Sequence, residues 1–81
     1  MTTSQQKCNI LNVLTSIYSE DGYCTYNDLE ENCPISDKDL KDTIKFMKKQ
    51  GIITLVNDDG EVYYQVKDEL MDKIFCTLGA L

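Results

Sequence analysis

The chain has 81 residues, which is enough for one domain and too few for two. It is 42% hydrophobic and 27% charged, as in a globular domain, but so short a chain builds only a small core, which argues against a deep active-site cleft. Eight lysines against 14 acidic residues give a net charge of −6, which opposes long-range attraction to nucleic acid.

The first predicted element is an amphipathic helix over residues 5–18. Its apolar side chains recur with helical periodicity and fall on one broad face: Ile10, Leu11, Val13, Leu14, Ile17 and Tyr18. Gly22 suits the left-handed backbone position that follows many helices, so it predicts that this helix has ended.

A short strand and a short helix are predicted next. Residues 23–25 are β-prone but too few to form more than a small edge strand. Thr25, with Asp28 three residues later, predicts the N-cap and acidic first turn of a helix over residues 26–32. Pro34 ends that helix, because the residue before a proline is disfavoured in the α conformation.

A third helix is predicted to begin after Ser36 and to extend to about residue 50. Ser36 can cap the helix, and Asp39 stands where a capping box places an acidic residue. Gly51 suits the same left-handed backbone position as Gly22, so it predicts that the third helix ends here.

The chain finishes with a predicted β-hairpin and a fourth helix. Residues 52–56 and 61–66 are rich in β-branched and aromatic side chains, and Asp59-Gly60 between them is a strong hairpin-turn signal. Residues 67–78 then show a helical period again. The apolar stripe of this last helix consists of Leu70, Met71, Ile74, Phe75 and Leu78.

The predicted order is helix, short strand, helix, helix, β-hairpin and helix. Three segments of the sequence are typical of a known arrangement of these elements. They are Gly22-Tyr23-Cys24-Thr25-Tyr26-Asn27-Asp28-Leu29, then Ile35-Ser36 before the third helix, and then Leu40, Ile44 and Met47 followed by Lys48-Lys49-Gln50-Gly51-Ile52-Ile53. In these segments the chain resembles the winged helix-turn-helix family over about residues 5–78. The resemblance implies a mainly helical α+β fold with one winged-helix domain over residues 1–81. That fold serves both DNA binding and protein assembly.

Five of the eight lysines lie in the third predicted helix and form what we call the lysine face: Lys38, Lys41, Lys45, Lys48 and Lys49. At 100° per residue they span an arc of about 100° and lie away from Leu40, Ile44 and Met47. Residues 36–50 carry five lysines and three acids, whereas the rest of the chain carries three lysines and eleven acids. The family resemblance implies that this helix enters the major groove and that its lysines contact phosphates.

The alternative is that the lysine face is simply a solvated helix surface. Asp37 and Lys41, and likewise Lys38 and Asp42, have the i,i+4 spacing of ion pairs that support an exposed helix, and Asp42 and Lys45 have i,i+3 spacing. Such pairs need no external partner. The sequence is consistent with both interpretations of the lysine face.

The predicted hairpin tip is acidic, with Asp58, Asp59 and Glu61 around Gly60. Family members that grip DNA with this hairpin usually carry basic residues there, and a phosphate backbone would repel these carboxylates. Either the turn was selected for its dihedral angles alone, or the acids face a basic protein partner. The residues that we consider as protein-interface candidates are Asp58, Asp59, Glu61, Tyr64, Met71 and Phe75.

Tyr23, Tyr26, Tyr63 and Tyr64 are expected to cluster around the sheet. Tyr63 and Tyr64 are adjacent in a strand and must point to opposite faces, so we expect one to be buried and the other exposed. An exposed tyrosine is a residue type enriched at protein interfaces, whereas a tyrosine in the core can still reach water with its hydroxyl.

The four cysteines, Cys8, Cys24, Cys33 and Cys76, form no C-x-x-C pair and have no histidine to complete a zinc site. Reduced structural thiols are the expected state. Two disulfides would need an oxidising compartment, and metal binding or catalysis is the remaining alternative.

The residue types that are missing limit the chemistry further. The chain has no His, no Arg and no Trp, so it lacks the commonest general base and the side chain that clamps phosphate with two parallel hydrogen bonds. No Gly-rich phosphate loop is present. We expect no enzymatic activity, catalytic residue, metal or cofactor. Without a secretory signal or an apolar run of about 20 residues, a soluble cytoplasmic protein with no membrane contact is expected.

Two functions follow as hypotheses. The first is a small winged-helix regulator of transcription that holds double-stranded DNA through its lysine face, as a homodimer formed by the first or last helix with Met71, Phe75 and Leu78 at the interface. The second is an acidic winged-helix module that binds a basic protein, either as an assembly subunit or as a phage or mobile-element inhibitor of a nucleic-acid-binding host protein.

Overall fold

The computed structural model describes residues 3–80. The helices and strands, in chain order, are α1 (Thr3–Ser19), β1 (Tyr23–Thr25), α2 (Tyr26–Asn32), α3 (Asp37–Gln50), β2 (Thr54–Asp58), β3 (Glu61–Gln65) and α4 (Met71–Ala80), with a 3₁₀ turn at Asp68–Leu70 before α4. The predicted mainly helical α+β class and the order of elements are confirmed. The topology is compatible with a winged-helix arrangement.

The boundaries of α2 and α3 are set by the predicted capping residues. The Asp28 backbone N–H donates to Thr25 Oγ1 at 3.2 Å, and the Thr25 N–H donates back to Asp28 Oδ2 at 3.2 Å, which completes a capping box. The Asp39 N–H donates to Ser36 Oγ at 3.3 Å. Gly51 ends α3 with a φ of 71°. Local side-chain and backbone chemistry therefore accounts for where these helices begin and where α3 ends.

The three strands form one antiparallel sheet in the order β1-β3-β2. Asp59 (φ 52°) and Gly60 (φ 82°) both adopt positive φ in the hairpin turn, as the Asp-Gly signal predicted. The strand β2 begins at Thr54 and not at residue 52. Ile52 and Ile53 are both buried, whereas successive side chains in a strand point to opposite faces, so these two residues form a packed connection out of α3.

The core lies where α1 packs on α3 and on the inner face of the sheet. Its buried apolar residues are Ile10, Val13, Leu14, Ile17, Cys24, Leu29, Cys33, Leu40, Ile44, Met47, Ile52, Ile53, Val66 and Ile74. Leu11 (47% exposed) and Tyr18 (40% exposed) lie outside it, although the apolar face predicted for the first helix included both. Phe75, 64% exposed, likewise lies outside. The apolar stripes of α1 and α4 are thus wider than the surface that this small core covers.

The cysteines are all free thiols, as predicted. Cys24 and Cys33 are buried, whereas Cys8 and Cys76 are exposed on α1 and α4. Burial, with a contribution from the nearby Asp28 carboxylate, raises the pKa of Cys24 from 9.0 to about 11. Among the helices of residues 3–80, none is long and apolar enough to cross a bilayer.

Candidate nucleic-acid interface

The lysine face on α3 has the geometry that the helical period predicted. All five of its lysines are exposed. The opposite side of α3 is buried through Leu40, Thr43, Ile44 and Met47, which are between 0% and 3% exposed. The helix therefore separates a packed side from a cationic side, and the core holds the cationic side outward.

The ion pairs that the spacing allowed do not form. Within residues 3–80, none of the lysines of the lysine face is paired with a carboxylate, so the contacts expected of Lys38, Lys41 and Lys45 with Asp37 and Asp42 are absent. Exposed pairs of this kind gain about 0.2–1 kcal/mol and must offset the entropy lost when two long side chains are fixed. The ammonium groups are consequently left to interact with solvent or with an external anion.

Charge along α3 runs from acidic to basic. Asp37 and Asp39 lie in the first turn, and Lys48 and Lys49 lie in the last, so both ends complement the helix macrodipole. An approaching phosphate would be repelled at the acidic N-terminal turn. The part of the lysine face best suited to phosphate contact therefore lies after the first turn, from Lys41 to Lys49.

The hairpin tip presents the opposite charge. Asp58, Asp59 and Glu61 are all exposed. Residues 52–66 contain these three acids and no lysine, so the hairpin offers nothing that attracts a phosphate. The hairpin therefore adds no cationic group to those of the lysine face.

The tyrosines form two pairs on opposite faces of the sheet. Tyr23 and Tyr63 meet edge to face on the outer face, with ring centroids 5.5 Å apart. Tyr26 and Tyr64 meet on the inner face at 6.3 Å, where Tyr64 packs against the core. Tyr63 and Tyr64 do point to opposite faces, but both are half-buried, so the expected contrast between one buried and one exposed ring is wrong. The outer ring is half-buried because Tyr23 packs against it.

Two further interface candidates lie on α4. Met71 is half-buried, and its sulfur accepts a hydrogen bond from the Tyr18 hydroxyl at 3.1 Å, which joins the end of α1 to the start of α4. Phe75, one turn later, is the most exposed large apolar side chain among those described. The apolar stripe predicted for the last helix included both residues, but it did not reveal that Met71 contacts Tyr18.

The described part of the chain has no cluster of metal-ligating side chains. A surface depression of about 430 Å³ lies between the end of α1 and the segment after β3, and Tyr18, Asp21, Lys67 and Asp68 contribute to its wall. Among residues 3–80, no three His, Cys, Asp or Glu side chains converge as metal ligands would.

No protein-family model, curated protein or solved structure matches this chain. Function must therefore be inferred from the chemistry of its own surfaces.

Proposed function

We propose that the protein is a winged-helix DNA-binding protein that acts in transcriptional regulation and contacts the duplex backbone through the lysine face of α3. The observation that carries this proposal is the set of five exposed lysines, unpaired within the described residues, on one side of a helix whose other side is buried. Residues 36–50 have a net charge of +2 in a chain whose remainder has −8. Such segregation supports an anionic partner for this helix.

The proposed contact is with phosphates and is largely independent of sequence. Lysine is a flexible point charge and the chain has no arginine, so bidentate recognition of guanine by an arginine fork is excluded. Five phosphate contacts or fewer give weak binding at physiological salt, and we therefore expect a homodimer to be the form that binds DNA. Exposed Phe75, with Leu78, is the candidate contact between the two copies.

A salt titration with a mixed-sequence duplex tests the proposal directly. Fluorescence anisotropy should show an affinity that falls steeply with salt, with a log–log slope of about −3 to −5 per monomer. If no binding is detected even at about 50 mM salt, where phosphate contacts are strongest, DNA binding is ruled out.

A matched pair of charge reversals locates the contact. Lys41→Glu/Lys45→Glu should abolish binding while leaving the circular dichroism spectrum unchanged, because both side chains are exposed. Lys7→Glu/Lys67→Glu makes the same change in net charge outside α3 and should retain most of the affinity. Equal losses in the two variants would show that only overall charge matters and would contradict a defined lysine face.

A second candidate function is an acidic module that binds a basic protein partner, as an assembly subunit or as an inhibitor of a nucleic-acid-binding protein. The observation that favours it is the exposed acidic hairpin, which has no use in phosphate binding. The two functions are compatible, since the lysine face and the acidic hairpin occupy different elements.

A further inference from the structure

The strand β2 has an open edge. In the sheet order β1-β3-β2, and within residues 3–80, it pairs with β3 alone. It contains neither lysine nor proline, the residues that commonly block an exposed edge, and Leu55 and Val56 are 46% and 38% exposed. A row of backbone N–H and C=O groups is thereby available to another extended segment.

Beside this edge lies a surface that we call the tyrosine–acid patch, consisting of Tyr23, Val56, Asp58, Glu61 and Tyr63. The strand register places Val56 opposite Tyr63 and Asp58 opposite Glu61, so these four side chains share the outer face. The Tyr63 hydroxyl donates to Glu61 Oε2 at 3.3 Å. A depression of about 220 Å³ runs between Tyr23, Val56, Asp58 and Tyr63.

Aromatic rings flanked by carboxylates attract a cationic side chain. The face of a tyrosine ring binds an ammonium or guanidinium group by a cation–π interaction, and a neighbouring carboxylate adds a charge-assisted hydrogen bond. Tyr23 is 51% exposed, so its ring remains accessible although it also packs against Tyr63. The patch therefore combines an apolar floor with an acidic rim.

We propose that β2 binds an extended basic segment of a partner protein, which adds to the sheet as a fourth strand. Main-chain hydrogen bonds to the open edge would supply affinity, and alternate side chains would supply specificity. A lysine or arginine on the outer face of the added strand would lie next to Val56 and Asp58 and extend over the Tyr63 ring.

Charge decides between a basic partner and a second copy of this chain at the β2 edge. Edge-to-edge pairing of two copies would bring two hairpins together, each with three acids and no lysine. A basic segment instead neutralises those acids. This inference goes beyond DNA binding and does not depend on it, but it rests on the second candidate function and gives that function a surface and a ligand chemistry.

The probe for the test is a fluorescent octapeptide of alternating Arg and Thr. Saturable binding to the full chain is expected well below about 1 mM peptide, with backbone amide shifts in the NMR spectrum concentrated in residues 54–58. A peptide with proline in place of each threonine keeps the charge but loses main-chain donors, so it should bind much more weakly.

Matched variants separate the patch from general electrostatics. Asp58→Asn/Glu61→Gln should weaken peptide binding by about five- to tenfold, since two exposed charge interactions are removed. Asp68→Asn/Glu69→Gln removes the same two charges from exposed residues of the 3₁₀ turn and should change affinity by less than about twofold. Tyr63→Leu, which keeps an apolar side chain and removes the ring, should weaken binding as well.

Several results would overturn the inference. Absence of binding at about 1 mM, equal losses in the two charge variants, or undiminished binding of the proline peptide would each do so. Amide shifts on α1 or α4 would retain a basic partner but reject this surface. Self-association of the chain that Leu55→Lys abolishes would show that a second copy occupies the edge. Lys41→Glu/Lys45→Glu should leave peptide binding intact, which separates this test from the test of DNA binding.

Discussion

Helix α3 and the β2–β3 hairpin are consecutive in the chain, joined only by Gly51, Ile52 and Ile53, yet their surfaces are opposite in charge. The helix exposes five lysines, and the hairpin exposes three acids and no lysine. The molecule measures 36 × 28 × 21 Å, whereas electrostatic interactions in physiological salt are screened over about 8 Å. A partner at contact distance therefore meets a local charge, and the net charge of −6 describes neither surface.

The largest expected effect tests the orientation of α3. Ile44 is 3% exposed, so Ile44→Asp buries an unpaired carboxylate at a cost of several kcal/mol and should unfold so small a domain. Lys45→Asp introduces the same side chain one position along on the exposed side and should remain folded. Circular dichroism with thermal melting distinguishes the two variants. A folded Ile44→Asp protein would mean that the packed side and the lysine face had been exchanged.

Reversing the charge of the hairpin removes the contrast between the two regions. Asp58→Lys/Glu61→Lys should increase DNA affinity and make the log–log salt slope steeper by up to about 2, if the hairpin lies close to the phosphates when α3 binds. The same variant should no longer bind the basic octapeptide. Asp59 is left unchanged because its φ of 52° suits Asp better than Lys. An unaltered salt slope would place the hairpin outside the DNA contact.

The junction between the two regions can be tested at Gly51. Gly51→Ala should destabilise the protein by about 1–2 kcal/mol. At the left-handed φ of 71°, the Cβ of alanine comes too close to the following carbonyl oxygen. The new Cβ would lie 2.8 Å from Lys73 Nζ, the flexible end of a side chain that can move away. Gly79→Ala, in α4 with open space around it, should instead stabilise by up to about 1 kcal/mol. Urea denaturation measures both, and equal effects would refute the role of the left-handed cap.

A pH-dependent effect is expected from the core beneath the sheet. The pKa of Cys24 is about 11 in the folded protein and near 9.0 when exposed, so the unfolded state loses its proton first. The contribution of Cys24 to the free energy of unfolding should be constant below about pH 9 and should decline as the pH rises toward 11. Cys24→Ala should reduce the decline seen in urea midpoints, and Cys8→Ala, at an exposed thiol, should not. An identical slope in both variants would contradict the assigned burial effect.

Much of the fold could be predicted because its boundaries are local. Thr25 with Asp28, and Asp59 with Gly60, act within four residues and have the predicted role in the structure. Ser36 also caps α3 as predicted, by accepting from the Asp39 backbone N–H. The lysine face is local in the same sense, since helical phase follows from spacing alone. Its lack of ion pairs was not predictable, because spacing permits a pair without making it favourable.

The features that could not be predicted depend on contacts between distant segments. Tyr23 and Tyr63 meet only because β1 pairs with β3, 40 positions away, in one particular register. Leu11, Tyr18 and Phe75 fit the apolar periodicity of their helices, but periodicity gives the direction of a face and not the area that neighbouring elements cover. The open edge of β2 likewise follows from strand order, which no single segment encodes.

Thr25 belongs to two elements at once. It pairs with Tyr63 as the last residue of β1, and its side chain caps α2, which begins at the very next residue. No hinge separates the sheet from this helix. We therefore expect a partner that displaces β3 to displace the first turn of α2 as well, since Thr25 belongs to both.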